Sequence, residues 1–316
     1  MSESEFEVLG LEIFKYQSEN CDVYRSFIKH LVPDSKKINS IRSVPFLPVS
    51  FFKSQKIISG PAPAGIIFKS SATTGITQSQ HFVQDVSIYE QSYLSAFELF
   101  YGKPDDLCIL ALLPSYQERD GSSLIYMVDD LIHKSRHPQS GYFLNDNEGL
   151  IKVLSELQKT EQPTLLIGVT YALLDLIEAH NINFPELMVM ETGGMKGKRK
   201  ELVREALHNS LKSGFGVPHI HSEYGMTELL SQAYSKGEGI FECPPWMKVM
   251  IRDINDPLNY VADGKTGGIN IVDLANINSC SFIATQDLGR YLGNNRFEVL
   301  GRFDNADIRG CNLLVQ

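Results

Sequence analysis

Val86, Tyr89, Tyr93, Phe97 and Phe100 recur at the three- and four-residue spacing that lines one face of a helix. They lead into a continuous apolar stretch, Leu107 to Leu113, short enough to read as a strand buried on both faces. The alternation continues: residues 122–134, 147–159, 170–180 and 199–213 read as helices, and 163–169, 187–192 and 219–224 as short strands. Such a pattern predicts an α/β core with a largely parallel sheet flanked by helices. From about residue 240 the helical period stops. Met247 to Ile254, Gly268 to Val272 and Phe297 to Leu300 read as strands between Gly, Asn and Asp turns, which predicts a smaller β-rich subdomain. We expect an α/β core over 1–235 and a β-rich part with a C-terminal tail over 236–316, within one structural unit. No repeat, low-complexity tract or Pro/Gly/Ser linker separates them.

With 316 residues, 43% of them hydrophobic, the chain can bury a sizeable core. Its net charge of −9 argues against nucleic acid as the main ligand, since a polyanion would have to be met by a local basic patch rather than by the overall field. The acidic start MSESEFEVLG lacks the features of a signal peptide, and no apolar run is long enough for a bilayer, so a cytoplasmic protein without a transmembrane segment is expected. Cysteines at 21, 108, 243, 280 and 311 are odd in number and widely spaced, which argues for reduced thiols rather than a disulfide framework or a CxxC zinc site.

Candidate chemistry lies in a few short segments. In Ser70-Ser71-Ala72-Thr73-Thr74-Gly75 four hydroxyls accompany a glycine that lets backbone amides approach an anion, the makings of a phosphate-binding nest, although such a cluster is also an ordinary turn. Glu191-Thr192-Gly193-Gly194 and Tyr224-Gly225-Met226-Thr227-Glu228 fall where predicted strands end, on the edge where open α/β sheets bind ligands. Asp287-Leu288-Gly289 and Gly301-Arg302-Phe303-Asp304 follow. By composition alone Asp-Leu-Gly is a turn, Gly-Gly a loop and Tyr224 ordinary packing.

This ordered set resembles the adenylate-forming superfamily of acyl-CoA ligases, firefly-type luciferases and peptide-synthetase adenylation domains. It is most similar to the LuxE-type acyl-protein synthetases, through Pro45-Phe46-Leu47-Pro48-Val49-Ser50-Phe51-Phe52-Lys53-Ser54, the YGMTELLSQAY run and the ending from Gly301 to Leu313. The resemblance covers the chain from about residue 45 onward. It implies ATP and Mg2+ as cofactors and a carboxylic acid, by family a fatty acid, as substrate. Ser70, Ser71, Thr73, Thr74 and Gly75 would wrap the phosphates, Thr227 would contact the α-phosphate and Glu228 would hold the metal. Gly193 and Gly194 would lie against adenine, with Tyr224 and Gly225 close by. Asp287 would accept hydrogen bonds from the ribose hydroxyls, and Arg302 would approach the nucleotide.

Two departures from the wider superfamily stand out. The lysine that usually follows the glycine of the phosphate loop is missing, the chain reading Ile76-Thr77-Gln78-Ser79-Gln80, and Lys69 just before the loop is a candidate for part of that charge. The chain also stops fifteen residues after Gly301, so the mobile C-terminal domain of the larger ligases is expected to be absent. LuxE-type proteins share that shorter form and are implied to pass the acyl group to their own cysteine, which here is Cys311. A thiolate attacks a mixed anhydride readily, Arg309 would favour the thiolate, and nine residues from Arg302 can span about 30 Å. The later acceptor would be an acyl-CoA reductase, a carrier protein or an acyltransferase partner. The basic run from Lys196 to Lys200 reads as a solvated face or as a docking point for a phosphate or an acidic partner. Two rival readings remain: an acyl- or aryl-CoA ligase, and a non-catalytic nucleotide- or acyl-binding descendant.

Overall fold

The computed structural model describes residues 1–32, 38–71, 77–115, 121–193 and 203–303. Helices α1 (Glu3–Asn20) and α2 (Asp22–Leu31) open the chain, followed by β1 (Leu47–Pro48), the one-turn α3 (Phe51–Ser54) and the antiparallel hairpin of β2 (Ile66–Lys69) and β3 (Gln80–Val83). Alternation then sets in with α4 (Val86–Tyr101), β4 (Cys108–Leu112), α5 (Ser123–Ser135), β5 (Gly141–Tyr142), α6 (Asn147–Lys159), β6 (Thr164–Val169), α7 (Thr170–Ala179), β7 (Met188–Thr192), α8 (Arg204–Phe215) and β8 (Ile220–Tyr224). Strands dominate the remainder: β9 (Ala233–Ser235), β10 (Ile240–Glu242), β11 (Met247–Arg252), β12 (Thr266–Asp273), β13 (Phe282–Gly293) and β14 (Arg296–Arg302).

Among the described residues twelve strands form one sheet in the order β11-β12-β13-β14-β10-β9-β8-β7-β6-β4-β5, with β1 beside β13. The run β5-β4-β6-β7-β8 is parallel throughout, as the βα alternation requires. From β8 onward the neighbours are antiparallel, and β1 joins β13 in parallel. The α/β half and the β-rich half therefore share one sheet, joined edge to edge through β9 and β10.

Burial follows the two strand types. Every residue of β4 and β6 is buried, because helices cover both faces. In β11, Met247, Val249 and Ile251 turn inward while Lys248, Met250 and Arg252 are half-buried, the period of two expected of a sheet with one wetter face. Helix starts are fixed locally: Asp85, Ser122 and Asp146 accept backbone N–H groups of α4, α5 and α6, and Ser2 and Glu5 form a capping box on α1. The apolar face of α1 (Phe6, Ile13, Phe14) packs with Tyr24, Phe46 and Phe282 into a second core beneath the β-rich half.

The structure departs from the sequence expectation at β13. Asp287-Leu288-Gly289, which composition reads as a turn, lies inside this twelve-residue strand, with a register shift against β14 between Leu288 and Gly289. A Cβ at Gly289 would come within 2.5 Å of the Glu298 carbonyl, so the glycine serves close strand approach rather than chain reversal.

Candidate active site

β8 ends in Tyr224, and β13 carries Asp287 across from Arg302 of β14. The Tyr224 hydroxyl donates to Asp287 Oδ2 at 2.8 Å, and Arg302 Nε stands 3.3 Å from Oδ1. Burial raises the Asp287 carboxyl above its usual range, opposed by the Tyr224 hydrogen bond and by the charges of Arg302 and Arg252. Burial, with the Asp287 charge adding to it, lifts the Tyr224 phenol far above its ordinary value, so Tyr224 remains a donor. Its ring is buried and meets Phe241 and Phe297 edge-on, at centroid distances of 5.7 and 5.5 Å. Arg252 is spent on the scaffold: its guanidinium donates to the carbonyls of Ile269 and Thr285 and to Asn270 Oδ1.

Past Tyr224 the chain leaves the sheet, and the Thr227-Glu228 peptide is held from behind by two buried side chains. His81 of β3 donates through Nδ1 to the Thr227 carbonyl at 2.8 Å, and its Nε2 lies 3.0 Å from Asn276 Oδ1. Asn276 Nδ2 in turn donates to the Glu228 carbonyl at 2.8 Å. Burial pushes the His81 imidazole down to about 4, opposed by the two oxygens its ring nitrogens face. Downstream, Asp273 accepts the backbone N–H groups of Leu230 and Ser231 and the Ser231 hydroxyl, which fixes the next turn.

The Glu228 side chain is 6% exposed, and among the described residues no cation lies within ion-pair distance of it. Burial raises its carboxyl above the usual range, offset by a hydrogen bond from Ser79 and by the more distant charges of Arg302 and Lys53. A buried carboxylate with no ion pair suits a hard cation whose other ligands are phosphate oxygens and water. Among the described residues no group of three or more His, Cys, Asp and Glu side chains surrounds it.

Ser79 also closes the hairpin of β2 and β3. Its N–H donates to Ser70 Oγ at 2.9 Å and its carbonyl accepts the Ser70 N–H at 3.1 Å. Gln78 folds back to donate to the Ser70 carbonyl, so it is spent on the base of the hairpin. Ser71 and the Lys69 side chain are exposed at that base. Thr73, Thr74 and Gly75 lie outside the described residues, as do Gly194, the Lys196–Lys200 run, Arg309 and Cys311. Gly193, at φ +66°, accepts the Thr170 hydroxyl at 2.6 Å where β7 ends.

The structure thus gathers Tyr224, Gly225, Thr227, Glu228, Asp287 and Arg302 from three separate stretches, with the start of β3 docked on them through Ser79 and His81. The sequence did not point to His81, Asn276 and Asp273. Each is one buried polar residue whose partner is 42 to 195 positions away, so no local pattern marks it.

The acyl-protein synthetase LuxE family matches residues 3–316. The chain belongs to this family. Among solved structures, 2-hydroxyisobutyryl-CoA ligase in complex with 2-HIB-AMP superposes with a TM-score of 0.72 at 12% identity, covering 96% of this chain and 69% of that one. ATP-bound MatB from Rhodopseudomonas palustris gives 0.55 at 18% identity, over 75% of this chain and 47% of that one. The family member described here therefore has the core fold of adenylate-forming ligases and spans about half the length of MatB. Among curated proteins none matches its sequence. Among the described residues no helix is long and apolar enough to cross a membrane.

Proposed function

We propose that the chain activates a carboxylic acid with ATP and then carries the acyl group as a thioester on Cys311. In the first step a carboxylate oxygen bonds to the α-phosphorus, the bond to the β-phosphate oxygen breaks, and pyrophosphate leaves. In the second the Cys311 thiolate attacks the acyl carbon and AMP leaves with the bonding pair. The observation that supports the reading most is the meeting of Tyr224, Glu228, Asp287 and Arg302 in one site of a chain that belongs to the acyl-protein synthetases.

In this reading Asp287, oriented by Tyr224, accepts the ribose hydroxyls while Arg302 faces the phosphates. Thr227, fixed through its carbonyl by His81, meets the α-phosphate where charge builds in the transition state. Mg2+ held at Glu228 would neutralise phosphate charge. The hydroxyls and amides of Ser70, Ser71, Thr73, Thr74 and Gly75 hold the leaving pyrophosphate, and Gly193 and Gly194 border adenine. A fatty acid as substrate, and a reductase, carrier or acyltransferase as the next acceptor, follow from the family.

Intact-protein mass spectrometry after incubation with ATP, Mg2+ and a panel of acids tests the scheme on the native chain and on Cys311→Ala. An acyl mass that needs ATP and is lost in the variant supports both steps. Pyrophosphate release without an acyl mass would move the acceptor to CoA or a partner, and neither product would leave only a binding module.

A further inference from the structure

On the opposite face of β8 from Ser222 and Tyr224, the structure holds a second set of polar groups that the scheme above does not use. Glu223 pairs with Thr192 of β7 on one side and Tyr234 of β9 on the other. Carried two residues further, that register sets Gly225 beside Gln232. A methyl group at Gly225 would meet Glu223 Oε1 at 2.3 Å and Gln232 Cγ at 3.4 Å, so both side chains border the same bare stretch of backbone. Tyr89 and Tyr101 of α4 and Tyr234 of β9 lie near enough to feel the Glu223 charge.

Among the described residues two oxygens there, Glu223 Oε1 and Gln232 Oε1, lack donors. The Thr192 hydroxyl donates to Glu223 Oε2 at 2.6 Å, and among the described residues it is the sole donor to that carboxylate. Among the described residues no cation offsets the charge; burial, with Glu191 adding repulsion, pushes the carboxyl up to about 7. Gln232 is 3% exposed and engages the Tyr89 hydroxyl, which itself donates to the Ser123 carbonyl, but among the described residues Gln232 Oε1 has no hydrogen-bond partner. A buried acceptor without a donor is disfavoured, and a hydrocarbon chain laid against it would keep it so. Gly225 is two residues from Thr227, about 7 Å at most along the chain, so the pair sits within a few carbons of the reacting carboxyl group.

We propose that the acid activated here carries a hydrogen-bond donor, an amino or hydroxyl group, which Glu223 and Gln232 bind from either side of Gly225. The proposal rests on acid activation at Thr227 and Glu228. An ammonium group satisfies both acceptors, because it has three N–H donors where a hydroxyl has one. Plain alkanoic acids satisfy neither.

ATP–pyrophosphate exchange on the full chain decides this, with butanoate, 3-hydroxybutanoate and 3-aminobutanoate and their six-carbon counterparts. We expect kcat/KM for a donor-bearing acid to exceed that of the plain acid of equal length by at least about 10-fold, and the ratio to collapse in Glu223→Gln and in Gln232→Leu. Whether the amino or the hydroxy acid leads names the donor. Plain acids that match or beat both, or a ratio unchanged in both variants, overturn the proposal. If no acid supports exchange, the activation reading fails, and thermal shifts by the same acids without ATP decide the pocket. A donor-acid shift lost in both variants upholds it, and no shift in the native chain overturns it.

Discussion

The Tyr224 hydroxyl and the Asp287 carboxylate, 63 residues apart in sequence, meet at 2.8 Å and tie the end of the parallel half of the sheet to the middle of the antiparallel half. Both belong to segments that carry the family resemblance. Because Asp287 is buried with Tyr224 on Oδ2 and Arg302 near Oδ1, its orientation is set by the fold alone, which is the preorganisation that the proposed ribose-binding role needs.

Tyr224→Phe removes that donor and leaves the ring packed on Phe241 and Phe297. One hydrogen bond to a buried charged group contributes about 1.5–3 kcal/mol, so we expect a stability loss of that order in chemical denaturation. We expect KM for ATP to rise about 10-fold with a smaller change in kcat, since the carboxylate is misoriented for binding rather than for chemistry. An unchanged KM would separate Tyr224 from the nucleotide site.

Arg302 behaves differently because its side chain is 69% exposed. A pair so wet contributes no more than about 1 kcal/mol to folding. Arg302→Ala should therefore melt close to the native chain while losing pyrophosphate exchange by at least about 10-fold, the mark of a group that works on ligand rather than on the fold. A large drop in melting temperature with exchange intact would assign Arg302 to the scaffold.

His81 should show the reverse weighting. His81→Ala strands the Thr227 carbonyl and empties a fully buried site, each costing about 1–3 kcal/mol. Exchange should fall as well, because Thr227 and Glu228 lose the clamp behind them. His81→Asn, which can still donate to the carbonyl, should recover part of both losses. Failure of this rescue alongside full recovery by His81→Phe would show that volume, not the hydrogen bond, matters.

These residues also show how far the sequence carried. Tyr224 to Glu228 is legible because its members are contiguous and close a strand, and β4 and β6 are legible because strands buried on both faces read as nearly continuous apolar runs. β13 was obscured by its own chemistry. Its polar and glycine positions, Asp287, Gly289 and Arg290, break the alternation, since the strand carries a site residue and a bulge at once. Helices α1 and α2 precede the family motifs, and α1 shows only a narrow apolar stripe. The clamp of His81 and Asn276 exists only in three dimensions.

Glu223 makes stability itself depend on pH in a way that one substitution isolates. Its carboxyl titrates near 7 when folded and near 4.5 when unfolded, so the folded chain binds the proton more tightly between those values. The stabilisation is complete below about 4.5 and is lost as pH rises through about 7, by no more than about 3 kcal/mol. Asp273, raised to about 6, tilts stability in the same direction, so the native chain alone cannot single out Glu223. The difference between Glu223→Gln and the native chain can. Glutamine keeps an acceptor for Thr192 and never ionises, so in urea denaturation the variant should gain on the native chain as pH rises from about 4.5 to about 7 and then level off. A difference independent of pH would mean that Glu223 is ionised throughout, and that a cation among its surroundings already pairs with it.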